Sequence, residues 1–170
     1  MPNMSKPVMR LTGLVGAFAL VGCASVADVK PGTNYDDVVK QFGEPSVVCA
    51  QPDGTARAVW TQEPSGEYAW AMVVGKDKQV SSPTQVFSVE SFNALSQGEW
   101  NNHSVKCQFG LPAKVQVFED HPNQVVWEYR FYGPAMAYDM AYVSFDKATN
   151  KVVGVTIGPD PELSTMVIGK

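Results

Sequence analysis

The side chains able to do chemistry are few: two histidines, His103 and His121, three cysteines, Cys23, Cys49 and Cys107, and some neighbouring carboxylates. His103 and Cys107 are four apart, a spacing that puts both on one face of a helix and could seat a metal ion. Two ligands do not complete such a site. The expectation is an exposed imidazole beside a structural cysteine, with no metal. Glu63 with Glu67 and Asp160 with Glu162 are the carboxylate pairs that acid–base work would need, but they fall in a turn and in the C-terminal tail, where solvated acids are the norm. No serine sits in a GxSxG, and the chain has neither a P-loop nor an HExxH. A protein that is not an enzyme and carries no cofactor is expected.

Cys23 differs from the other two because of what precedes it. Residues 1–10 carry Lys6 and Arg10 and no acid, and residues 11–22, LTGLVGAFALVG, form an uncharged apolar run ending at Cys23. A basic segment followed by an apolar run too short to span a bilayer, which takes ~20 residues, is a secretory signal. Leu20, Val21, Gly22 and Cys23 resemble a bacterial lipobox, in which the thiol receives a diacylglyceryl group before cleavage. Residues 1–22 are then a signal peptide, Cys23 is the lipidation site, and several acyl chains make a stable anchor where one would bind only marginally. Residue 24 is Ala, not the Asp that in enteric bacteria retains lipoproteins in the inner membrane. The resemblance therefore implies the periplasmic face of the outer membrane.

Without the leader, the 13 basic side chains lose Lys6 and Arg10 while the 17 acids remain, a net charge of about minus 6. An acidic chain with no basic run does not track phosphates, so no nucleic-acid partner is expected.

QFGEP at 41–45 returns as QFGLP at 108–112, and sliding 34–60 onto 101–127 without a gap gives ten identities in 27 positions, including Gly43/Gly110, Pro45/Pro112 and Trp60/Trp127. Chance would give roughly one or two. A tandem duplication with a period near 67 is the reading, each copy the size of a small domain. In the first copy Asn34 caps a helix, Asp36 and Asp37 favour its N-terminus, Val38, Val39 and Phe42 form its apolar stripe, Gly43 stops it in a left-handed position and Pro45 starts an extended segment. The second copy repeats this over 101–110, and a further helix about 88–95 precedes it. Strands are expected at about 46–51, 56–61 and 67–74, then in the second copy across AKVQVFE, 124–132, MAYDMAYVSF and VVGVTIG. The fold class is α+β, two tandem helix-helix-then-antiparallel-meander units: 23–83, 84–158, and a loosely ordered tail at 159–170.

Pro31, Gly32 and Thr33, with Val38, Gly43 and Pro45 at six, eleven and thirteen residues after that glycine and a strand bearing Trp60, resemble the SmpA/OmlA (BamE-like) group of lipoproteins. Asn34 stands where that group has a threonine, and the second copy carries one inserted residue after Gly98. The resemblance implies a helix-helix-then-three-strand unit and a place in outer-membrane β-barrel assembly or envelope integrity. Two units in one chain are similar to the β-lactamase inhibitory protein fold, which implies as an alternative a periplasmic inhibitor or binder of a β-lactamase or cell-wall enzyme. There a first-repeat hairpin delivers an acid to the target; by position, Glu63 or Glu67 would take that role.

The other two cysteines map under the repeat to Gln116 and Lys40, so each copy keeps one half of the pair. Either Cys49 and Cys107 form an inter-repeat disulfide, worth roughly 4 kcal/mol by loop-closure entropy, or both are buried thiols. Binding rests on aromatics that alternation pushes to an outer sheet face, Trp70, Tyr132 and Tyr138 foremost, with an envelope protein as partner.

Overall fold

The structure is a computed structural model and describes residues 24–134 and 137–164; Cys23 and the expected signal peptide, residues 1–22, lie outside the described residues. After a 3-10 turn at Val26–Asp28 come α1 (Tyr35–Phe42), β1 (Val47–Ala50), β2 (Ala56–Thr61), β3 (Ala69–Val74) and β4 (Thr84–Gln85). The second half runs α2 (Val89–Asn93), a 3-10 turn at Ala94–Ser96, α3 (Asn102–Phe109), β5 (Lys114–Gln116), β6 (Gln124–Tyr132), β7 (Tyr138–Asp146), β8 (Val152–Pro159) and α4 (Pro161–Ser164). The strands form two antiparallel four-stranded sheets, β1-β2-β3-β4 and β5-β6-β7-β8. The α+β class is as expected. β4 was not foreseen, and because it completes the first sheet, the chain crosses to its second half only after Gln85.

Both long-capped helices begin as their sequences dictate. Asn34 Oδ1 accepts from the Asp36 N–H, and Asn101 Oδ1 from the Ser104 N–H, each at 2.9 Å. Such a cap satisfies one of the backbone donors orphaned at a helix start. Both end on glycine, Gly43 at φ 83°, ψ 174° and Gly110 at φ 84°, ψ −161°. The sign of φ is the expected one, but ψ is extended rather than helical, a region open essentially to glycine alone. The chain therefore turns straight out of the helix into a strand.

Two cores result. Val38 of α1 packs with Ala58, Trp60, Met72 and Val80 on one face of the first sheet. The opposite face, through Val59, Ala69 and Ala71, belongs to a larger core with Phe87, Phe92, Phe109, Tyr129 and Phe131. α3 thus lies between the two sheets, its Val105 and Phe109 fully buried. The tail departs from expectation in its first residues, since Asp160 is wholly buried and α4 follows it.

The strand registers correct the gapless sequence alignment. β1 pairs Val47 with Val59, twelve residues on, whereas β5 pairs Lys114 with Glu128, fourteen on. The second hairpin loop is two residues longer, so in strand register Trp60 corresponds to Tyr129 and Trp127 to Ala58. A shift of two preserves the facing, and Trp60 and Trp127 both still turn toward their own half's core. The two rings at matching register positions also bond alike. Trp60 Nε1 donates to the Gly43 carbonyl at 2.9 Å, and the Tyr129 hydroxyl donates to the Gly110 carbonyl at 3.3 Å.

Candidate functional site

Cys49 and Cys107 form a disulfide, with Cα atoms 5.7 Å apart. It ties β1 to α3, and Arg57, beside Cys49 in the sheet, donates to the carbonyls of Cys107 and Gln108 at 2.9 and 3.2 Å. A guanidinium on the last carbonyls of a helix satisfies orphaned acceptors. His103 lies 3.5 Å from the Cys107 sulfur, as its spacing required, and Cys49 joins them as a third candidate ligand that the sequence did not reveal. Zinc needs deprotonated thiolates. With the two sulfurs joined, the pair of cysteines holds the halves together and offers no thiolate to a metal.

The β2–β3 hairpin does not project Glu63 outward. Glu63 is half-buried, and its Oε1 accepts from the Arg130 backbone N–H at 2.5 Å. The reason is the shortness of β5. Ala113 N–H reaches the Glu128 carbonyl, and past that point the edge of β6 has no neighbouring strand among the described residues. Arg130 N–H points to the same open edge, and the carboxylate fills the vacancy. Burial pushes Glu63 up to about 7, against the hydrogen bond from the Arg130 N–H and the positive Arg130 side chain, while Glu67 and Asp160 push it further up. Its Oε2 is buried and finds no hydrogen-bond partner among the described residues. A protonated acid suits such a position better than a carboxylate.

The Arg130 side chain holds the tail. It pairs with the buried Asp160 through Nε and with Glu162 through Nη2 at 2.8 Å, and its Nη1 lies 3.5 Å from the Pro64 carbonyl. Asp160 Oδ1 in turn accepts from the Glu162 N–H at 2.8 Å. Nearby on the same face of β6, Glu128 is buried against the amide of Gln116, and burial raises its pKa. Pro64, Lys114, Glu128, Arg130 and Glu162 line a pocket of about 200 Å³. Within it Arg130 is paired with Glu162 and lies against the Pro64 carbonyl, an arrangement that fastens the hairpin and tail to the second sheet. Sequence reading placed Glu63 and Asp160 in turn and tail and missed that one arginine, Arg130, gathers both; no local pattern signals a contact spanning 67 residues.

The aromatic candidates separate into two places. Trp70 is half-buried opposite Trp60 in the sheet, and with Ala24, Val26, Phe42 and Gln62 these two indoles line a groove of about 390 Å³. Tyr132 and Tyr138 face each other across the end of the β6–β7 hairpin, rings edge-on at 5.0 Å. Glu67 is half-exposed in the neighbouring hairpin. A further surface was not foreseen: Leu111, Val115, Val117 and Phe118, on and beside the edge strand β5, are 39% to 56% exposed. No helix among the described residues is long and apolar enough to cross a membrane. Comparison with protein-family models, with characterised proteins and with solved structures finds no match for this chain.

Proposed function

We propose that this chain is a lipoprotein anchored through Cys23 on the periplasmic face of the outer membrane, a non-enzymatic protein-binding module built from two BamE-like units and serving outer-membrane protein assembly or envelope integrity. The tandem reading is supported by two helices that start on Asn and stop at Phe-Gly-x-Pro, each followed by an antiparallel meander whose ring donates to the stop-glycine carbonyl.

The observation that carries protein binding is the apolar row on and just beyond β5. Val115 stands exposed on this short edge strand, and the exposed Val117 and Phe118 follow it. Exposed edges of this kind accept a strand or an apolar patch from another protein. Of the two acids the inhibitor alternative would deploy, Glu63 is turned into the β6 edge and only Glu67, half-exposed in the hairpin, is left for that role.

Affinity capture from solubilised envelope membranes, comparing the natural chain with Val115→Lys/Val117→Lys, tests the reading. Barrel-assembly subunits retained by the natural chain and lost with the double variant are the expected result. Recovery of penicillin-binding proteins or β-lactamases instead would turn the assignment to the inhibitor.

A further inference from the structure

The described fold begins one residue after the lipobox cysteine. Ala24 already lines the groove with Trp60, Trp70 and Gln62, and the Ser25 side chain caps the 3-10 turn that follows. Adjacent Cα atoms are about 3.8 Å apart, so a diacylglyceryl group on Cys23 would sit beside that groove with no tether between.

Gln62 lies at the root of the β2–β3 hairpin, where its N–H bonds the Tyr68 carbonyl at 2.9 Å. Two residues on, Pro64 meets Arg130, and two residues beyond Arg130 on the same face of β6 is Tyr132. The attachment point, the β2–β3 hairpin and the β6–β7 hairpin therefore share one end of the molecule. That end presents Tyr68 and Tyr138, each 37% exposed, with half-buried Trp70 on the Trp60 face of the first sheet and half-buried Tyr132 against Tyr138 on the second. Tyr and Trp settle at the headgroup level of bilayers, ring toward the acyl chains and polar tip toward water. At the far end of β6, roughly 27 Å away at 3.4 Å per residue, a single exposed ring, Phe118, stands among Asp120, Asp146 and Lys147.

We propose, resting on the lipoprotein reading, that this aromatic end is a membrane-contacting face. Tyr68, Trp70, Tyr132 and Tyr138 lie in the headgroup layer, and β6 and β7 stand away from the bilayer. Charge selects the lipid. Glu67 and Asp139 are half-exposed at this end, and Arg130 is held by Asp160 and Glu162. An acid-rich face is repelled by an anionic surface, where each basic residue would have contributed about 1 kcal/mol. A zwitterionic, phosphatidylethanolamine-type leaflet is the partner that fits.

The test places a nitroxide in the full lipidated chain at Ser65→Cys, on the aromatic end, or at Asp120→Cys, on the opposite one. Vesicles are equal parts phosphatidylethanolamine and phosphatidylcholine, and the mass of the Cys23 peptide is read in parallel. At position 65 collisions with a water-soluble nickel complex should be several-fold rarer than at position 120, and Tyr68→Ser/Tyr138→Ser or half phosphatidylglycerol should shrink that contrast. Equal nickel access at both positions with lipid present on Cys23 would overturn the membrane face and leave the lipoprotein standing. Absence of lipid on Cys23 would overturn both.

Discussion

The two halves end a helix with the same residues and then invest them differently. Phe42 is half-buried and Gly43 exposed, while Phe109 is fully buried among Phe87, Phe92 and Tyr129 and Gly110 is buried with it. A Cβ on Gly43 would meet nothing, but one on Gly110 would lie 3.1 to 3.3 Å from Ser46, Val59 and Thr61 of the first half. The local code of cap, stripe, stop and proline is thus enough to end a helix. What surrounds that ending is set by the other half. The first sheet lends its second face to the larger core, so the first half leans on the second for burial.

That asymmetry makes Phe109→Ala the largest expected loss, ~3 to 5 kcal/mol for a fully buried ring, against a clearly smaller one for Phe42→Ala. Denaturant titration of both variants checks it, and equal losses would break the comparison. Removing the cross-link is next. Cys107→Ser should cost ~2 to 5 kcal/mol and loosen the first half, read as faster amide exchange in β1 and β2 than in β6 and β7.

At the stop glycines, Gly43→Ala should cost ~1 to 3 kcal/mol through backbone strain alone, and Gly110→Ala more, because its methyl is also crowded. Identical melting shifts would mean that the packing around Gly110 gives way without cost.

Glu63 sharpens the seam between the halves. Its folded pKa of about 7 lies above the ordinary 4.5, so the folded state binds the extra proton and stability is greatest below 4.5 and falls as pH rises through 7. The full linkage is about 3 kcal/mol, reduced to roughly 2 by partial exposure. Glu63→Gln should flatten stability between pH 4.5 and 7, measured by denaturation at each pH. A slope unchanged in the variant would place the titration elsewhere.

Much of this was legible in sequence. Asn34, Asn101, Gly43 and Gly110 announce both helices, and 124–132 reads as a strand from its alternation, because these signals are local and act through backbone geometry. β4 was missed because two residues carry no period, and the strand register was misread by two because identity counting cannot see that the second hairpin loop is longer. At the candidate site, the bonding of Cys49 to Cys107 and the exposure of the aromatics were open questions. Arg130 gathering Glu63, Asp160 and Glu162 was not legible at all, since its N–H meets Glu63 at an edge of β6 that the shortness of β5 leaves open and its side chain meets acids 30 and 32 residues on.

The proposed membrane location rests on Cys23, beside which the first half, not the second, begins. Metabolic labelling with a fatty-acid analogue in a bacterial host, comparing the natural chain with Cys23→Ser, tests this most directly. The account predicts label on the natural chain, none on the variant, and the variant retained as an uncleaved precursor heavier by residues 1–22; undiminished label on the variant would contradict it.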